Sequence, residues 1–310
     1  MALDLNGLTQ YVDQVKMDLI KKMILGGRST QFMTIQPGIK SADAINLLSS
    51  NLVAQAGGCS FNDAGDTILT QNTLNVCPLK VQESICIDSL EQYWTQVMLQ
   101  PGSYDTDFGF ERIYTEEKVA QVSSLIDTLI WQGNTSLTGT TQLNLCDGMI
   151  HLANTTYSAS TVDGNVSNAT AITASNIIQL VDDAVQVIPT NVVAQDDLYL
   201  YCGYDFARLY FTALRNANLY NYPSVETGAN DFMITIPSAN VKLVAVKGLT
   251  GTNKFFITPK SNIFFGTDIL SDYEDIQIWY SMDFQEARTN IRWKQGVNCA
   301  FWEYVVYFKL

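Results

Sequence analysis

The chain has 310 residues, a formal net charge of −13, 47% apolar residues and only 16% charged ones. A chain of this length buries roughly three quarters of its unfolded surface, so it holds a real core and is not disordered. The acidic balance, with no cluster of Lys and Arg, argues against a nucleic-acid-binding surface. So little charge leaves a surface that is polar and uncharged, or covered by other chains.

Leu8, Tyr11, Val12, Val15, Leu19, Ile20, Met23 and Ile24 recur at three and four residues and predict an amphipathic helix over 8–25, stopped by Gly26-Gly27. Residues 1–40 carry five basic side chains (Lys16, Lys21, Lys22, Arg28, Lys40) and three acidic ones (Asp4, Asp13, Asp18), a slightly basic lead into an acidic body. A coil is expected over 28–44, through Pro37-Gly38. The β-prone runs "AINLLSSNLVAQ" and "DTILTQNTLNVCPLKVQESICI" flank the tip "AGGCSFNDAGD", which reads as a long hairpin over 45–88 that needs another surface to lie on.

From Thr115 the spacing is helical to Gln132. Glu116 and Glu117 are expected in the first turn, Val119, Val122, Leu125, Ile126, Leu129 and Ile130 on the buried face, and Gly133 at the end. A polar stretch then leads to "GMIHLA". A further helix is expected over 175–188, ending before Pro189, followed by the strand "DLYLYCG" and a helix in "YDFARLYFTALRNAN". After Pro223 the chain reads mainly as strands. Helices and strands mix without regular alternation, so the fold class is α+β.

No C-x-x-C or Cys/His spacing for zinc occurs among six cysteines and one histidine, and free, mostly buried thiols are expected. "MALDLNGL" lacks the pattern of a signal peptide, and no apolar run approaches 20 residues, so a soluble cytosolic product without a membrane segment is expected. Cys146, Asp147 and His151 invite reading as a nucleophile and base. Sequence neighbours seldom face each other productively, and a structural histidine is expected. Sequons at Asn134, Asn154, Asn165 and Asn168 would suit a secreted β-rich binding module, but they lie in an Asn/Thr-rich stretch where chance matches are common. Asp272, Glu274 and Asp275, or Asp63 and Asp66, fit no calcium loop and read as solvated acidic faces. The aromatic residues Trp279, Tyr280, Trp293, Phe301, Trp302, Tyr304, Tyr307 and Phe308 alternate along strands, as core or subunit contacts would. No catalytic, cofactor-binding or metal-binding residue is expected.

The order of elements resembles the major capsid protein of tailed bacteriophages, the Hong Kong ninety-seven-type shell fold. The likeness runs through the arm, the long hairpin and the long helix ending in a Gly turn. It continues in "ASNIIQLVDDAVQVIP", "DLYLYCGYDFARLYFTALRN", "IPSANVKLVAVKGLTGTNKFFITPKSNIFFGTD" and "ARTNIRWKQGVNCAFWEYVVYF". It implies an N-terminal arm (1–44), an extended hairpin (45–88), a peripheral domain with its spine helix (89–148, helix 115–132), an axial domain (149–270) and closing peripheral strands (271–310). It also implies hexamers and pentamers of an icosahedral shell enclosing double-stranded DNA without sequence-specific contacts. Portal, scaffold, cement or decoration proteins would be partners. A shell of the same fold around cargo enzymes, as in encapsulins, is the alternative within the fold.

The resemblance makes the perimeter the functional surface. Leu19, Ile20 and Met23 of the arm, with Gly57, Gly58 and Cys59 at the hairpin tip, are the expected assembly contacts, and Gly133 and Gly148 the turn or hinge between domains. Some family members lock the shell through a hairpin lysine. Here the only hairpin lysine is Lys80, far from the tip, so no covalent lock is expected, with Cys59 a substitute only under oxidising conditions.

Overall fold

The computed structural model describes residues 19–57, 59, 64–86, 110–139, 142–217, 232–236, 239–268 and 275–310, with only the backbone at 110–113 and 280. Residues 19–25 are helical (α1), and the chain turns at Gly26, whose N–H donates to the Lys22 carbonyl at 3.0 Å. Residues 8–18 of the expected helix lie outside the described residues. The coil expected over 28–44 instead holds a short helix, Arg28–Gln31 (α2), a strand, Thr34–Gln36 (β1), and the start of the next strand. β1 forms because a distant strand, Ile263–Thr267, offers it a parallel edge, a partner that local sequence does not reveal.

Strands Ala42–Asn51 (β2) and Asp66–Asn75 (β3) make an antiparallel ribbon in register from Ala42 opposite Asn75 to Asn51 opposite Asp66. At the strand rise of about 3.3 Å per residue the ribbon is about 33 Å long. The expected return strand is in fact two. At Val76 the chain leaves the ribbon, and Cys77–Cys86 (β4) pairs with another strand, so 77–86 is sheet rather than hairpin. The spine helix (α3) is Phe110–Gln132, starting five residues before the expected Thr115, which moves Glu116 and Glu117 out of its first turn. After a 3₁₀ turn at Gln142–Leu145 come α4 (Met149–Asn154), β5 (Val162–Asp163), α5 (Ile177–Gln186), β6 (Leu198–Cys202) and α6 (Tyr204–Asn216). The strands Met233–Thr235 (β7), Lys242–Ala245 (β8), Phe255–Pro259 (β9), Ile263–Thr267 (β10), Asp275–Ser281 (β11), Glu286–Cys299 (β12) and Val306–Phe308 (β13) complete the described elements.

Two larger sheets result. One runs β1-β10-β12-β11, with β4 also on β12; the other runs β5-β13-β9-β6-β8-β7. They do not follow the expected boundary at 270: β10 joins the first sheet, and β13 joins the second, between β5 and β9. Period-2 alternation in the six-stranded sheet assigns its side chains to two cores. Leu198, Leu200, Cys202, Leu243, Ala245, Phe255, Ile257, Val306 and Phe308 face α5 and α6, packing with Val181, Ala184, Phe206 and Tyr210. Tyr201, Val244, Phe256 and Tyr307 face the other way, into the core of the spine helix, where Trp131 meets Tyr201 and Phe256 with ring centroids 5.4 and 5.5 Å apart.

Leu19, Ile20, Met23 and Ile24 are buried in that same core, with Val119, Val122, Ile126 and Leu129 of the spine helix. The expectation that Leu19, Ile20 and Met23 dock on another subunit is corrected: their apolar stripe is covered by the chain's own helix and sheet. The basic side chain Lys22 likewise stays at home, 3.8 Å from Glu116.

Candidate assembly surface

Among the described residues the ribbon is rooted at its base. Ile45, Leu47 and Leu74 pack with Ile39, Val76 and Ala300 in a small third core. The Asn72 amide donates to the carbonyls of Cys299 and Ala300 at 3.2 and 2.6 Å, and the Asn298 amide to that of Thr73 at 2.8 Å. Gly296 makes this seat possible: a Cβ there would lie 1.9 Å from the Asn75 carbonyl oxygen. Beyond Leu47 the apolar side chains turn to solvent. Leu48 and Leu69 stand opposite each other in register and are 63% and 76% exposed, Ile68 is exposed, and Leu52 beyond β2 is 86% exposed. A cross-strand leucine pair in water gains little of the 1.5–3 kcal/mol that burial of each such side chain gives. Among the expected tip contacts, Gly57 and Cys59 are exposed. Gly58 lies outside the described residues.

The structure brings Gly133 and Gly148 together at the crossing between the spine helix and α4. The Gly148 N–H donates to the Gly133 carbonyl at 2.9 Å. A Cβ on Gly133 would stand 2.2 Å from the Cys146 carbonyl oxygen, and one on Gly148 2.7 Å from that of Leu129, so glycine is required by close backbone approach. Cys146 is not the expected free thiol: it is joined to Cys77 by a disulfide, with Cα atoms 5.8 Å apart. Spacing along the chain gave no hint, because the pair is separated by 69 residues. Cys202 and Cys299 are buried thiols, and burial raises the pKa of both; Cys86, like Cys59, is exposed.

In the disulfide state Cys146 carries no thiol. His151 lies 3.6 Å from Asp147, whose Oδ1 also accepts bonds from the Thr135 N–H and hydroxyl, so the trio ties a turn together. Among the described residues no group of His, Cys, Asp and Glu is arranged to hold a metal. Asp63, Asp272 and Glu274 lie outside the described residues. No helix among the described residues is long and apolar enough to cross a membrane. Asn154 and Asn165 of the sequons bond internally, Asn154 to the Ile150 carbonyl and the Tyr307 hydroxyl, Asn165 to the carbonyls of Ala169 and Lys309. The aromatic set divides: Trp293, Trp302, Tyr307 and Phe308 are core, while Trp279 is partly exposed.

One functional-looking group escaped sequence reasoning. Asp127, on the buried face of the spine helix and 3% exposed, accepts the N–H of Ser29 at 3.0 Å through Oδ1 and that of Gly248 at 3.1 Å through Oδ2. Its signal was a lone acid inside the apolar run "SLIDTLIW".

No protein-family model matches the sequence, and no curated protein sequence matches it. Solved structures do. The chain is similar to a protein of the satellite phage P4 procapsid that includes the size-determination protein, with a TM-score of 0.60 at 13% identity, covering 96% of this chain and 98% of that one. It is similar to a protein of Gordonia phage Cozz (TM-score 0.57, 10% identity, 90% and 85% covered). A third likeness is to a virus-like particle protein of Pyrococcus furiosus (TM-score 0.50, 10% identity, 95% and 98% covered). The class is therefore a viral capsid fold of the α+β kind. Within it, the chain has the fold of phage major capsid proteins.

Proposed function

We propose that this chain is the major capsid subunit of a tailed double-stranded DNA phage. It associates with itself into hexamers and pentamers of an icosahedral shell assembled in the bacterial cytoplasm. The observation that carries this reading is the likeness to the P4 procapsid protein over nearly the whole of both chains. In the shell, the distal half of the ribbon lies on a neighbouring subunit, which covers Leu48, Leu52 and Leu69. The role is structural rather than catalytic. Its acidic balance suits a wall that confines DNA without holding the phosphates, since packaged DNA must slide as it is coiled. Portal, scaffold and cement or decoration proteins complete the particle. Negative-stain microscopy of the expressed chain tests the reading: closed particles are expected, and dispersed monomers at micromolar concentration and above would overturn it.

A shell of the same fold around protein cargo is the second reading, kept because one similar structure is a virus-like particle of Pyrococcus furiosus and not a phage capsid. Nucleic-acid staining and protein mass spectrometry of particles from the native source separate genome from cargo.

A further inference from the structure

Cys77 is the residue at which the chain leaves the ribbon for the five-stranded sheet, where it stands opposite Gln295 of β12. Cys146 follows the 3₁₀ turn Gln142–Leu145, two residues before Gly148, is 3% exposed, and places its sulfur 3.5 Å from the Gln295 carbonyl oxygen. Their bond therefore ties the root of the ribbon to the crossing at Gly133 and Gly148, closing a segment of 69 residues that contains the whole spine helix. A shell assembled in the cytoplasm is built where small thiols keep such pairs reduced. The non-covalent seat of the ribbon, through Ile45, Leu47, Leu74 and Asn72, does not require the bond.

We propose that Cys77 and Cys146 are a redox-operated internal staple. They are a dithiol while the chain folds, and a low-molecular-weight disulfide closes them when the subunit meets an oxidising medium. Burial sets the order of events. The half-buried Cys77 thiolate attacks one sulfur of the small disulfide, releasing one small thiol and leaving a mixed disulfide at Cys77. The enclosed Cys146 thiolate then displaces the second small thiol. Two protein thiols have lost two electrons and two protons, and one small disulfide has become two thiols. The closed bond narrows the unfolded ensemble and holds the ribbon's root to the crossing. It adds no link between chains. Only its timing, after assembly, rests on the shell reading.

The test uses the full chain expressed in bacterial cytoplasm and lysed directly into denaturant with iodoacetamide. Peptide mass spectrometry should find Cys77 and Cys146 both alkylated. After incubation of the native protein with glutathione disulfide at pH 8, the two peptides should be joined. The unfolding temperature should rise by roughly 5 °C or more, a rise that dithiothreitol reverses and that the Cys77→Ser/Cys146→Ser variant lacks. Cysteines that stay alkylatable, a bond already closed at lysis, or oxidation that joins other cysteines or other chains would each overturn the proposal. The peptide readout on the unaltered chain stands even if the variant fails to fold. Dispersed subunits that form the bond but never assemble would support the staple and remove the shell reading; particles that never form it would do the reverse.

Discussion

The Asp127 carboxylate, buried on the spine helix, accepts the backbone N–H of Ser29 at 3.0 Å and so fastens the N-terminal segment to the helix around which the first core is built. Its second oxygen takes the N–H of Gly248, beyond β8 of the six-stranded sheet. Asp127→Asn keeps one acceptor and turns an amide donor toward an N–H. A buried hydrogen bond to a charged group contributes about 1.5–3 kcal/mol, so a loss of about 2–3 kcal/mol is expected in urea unfolding of the subunit. Asp127→Leu, which leaves both N–H groups without an acceptor, should cost more. An unchanged midpoint in both variants would contradict this account.

Leu48 and Leu69 separate assembly from folding. Replacing Leu48 by Lys and Leu69 by Glu removes apolar surface that the isolated subunit leaves in water without setting like charges opposite each other, and surface changes of this kind usually move stability by about 0.5 kcal/mol or less. The variant should melt with the parent in circular dichroism yet sediment as unassembled subunits. Leu19→Asp should behave oppositely, unfolding the chain, because that side chain is in the subunit's own core. Shells formed normally by the Leu48/Leu69 variant would remove the ribbon from the assembly surface.

Gly296→Ala tests the ribbon's seat. A methyl group 1.9 Å from the Asn75 carbonyl oxygen must push the root of the ribbon off β12, at a cost of about 1–3 kcal/mol or more. Limited proteolysis should then cut within 42–75 faster than in the parent while the spine helix stays protected. Equal cutting rates would show that the sheet gives way without disturbing the ribbon.

Alkaline pH should unfold the chain from its second core and the face opposite. Burial pushes Tyr210 up to about 12, with the charge of Asp182 adding to the effect. Burial also pushes Tyr307 up to about 12, against the opposing hydrogen bond from Asn154. Both folded values lie above the ordinary value of 10, so the stabilisation is fully present below pH 10. It is lost as pH rises toward 12, since the unfolded chain releases these protons first. Tyrosinate absorbance should therefore lag in the native protein between pH 10 and 12 and appear together with loss of ellipticity. Titration of every tyrosine near pH 10 with the fold intact would refute it.

The strand and helix of 198–216 were legible because "LYLYC" is a short, wholly apolar and aromatic run buried on both faces, and helical spacing after Gly203 buries one face of the helix. The stripe of Leu19, Ile20 and Met23 was legible as a stripe but not by partner, since periodicity reports that a face is buried and not against which chain. The change of partner at Val76 was missed because the chain stays extended through it; Pro78, a residue of strand starts and edges, was the local sign, and only the long β12 reveals that 77–86 has another strand to join. The same limit hid β1 and the Cys77–Cys146 pair, whose causes lie across the fold. The ribbon over 42–75 was legible as a hairpin from its two β-prone runs around a Gly, Asn and Asp tip.

β13, residues 306–308, lies inside the six-stranded sheet, hydrogen-bonded to β5 on one side and β9 on the other. During synthesis both neighbours leave the ribosome well before the strand that separates them. Until about residue 308 has emerged, β5 has no partner in the sheet and β9 presents an open edge, and the side chains of Val306, Tyr307 and Phe308 are missing from two cores at once. Native packing of this sheet thus waits for residues 306–308, and a nascent chain that has not yet exposed them cannot offer a finished subunit to its neighbours. A message broken before codon 306 would yield a chain with an unpaired sheet edge, a form open to aggregation and proteolysis rather than to incorporation.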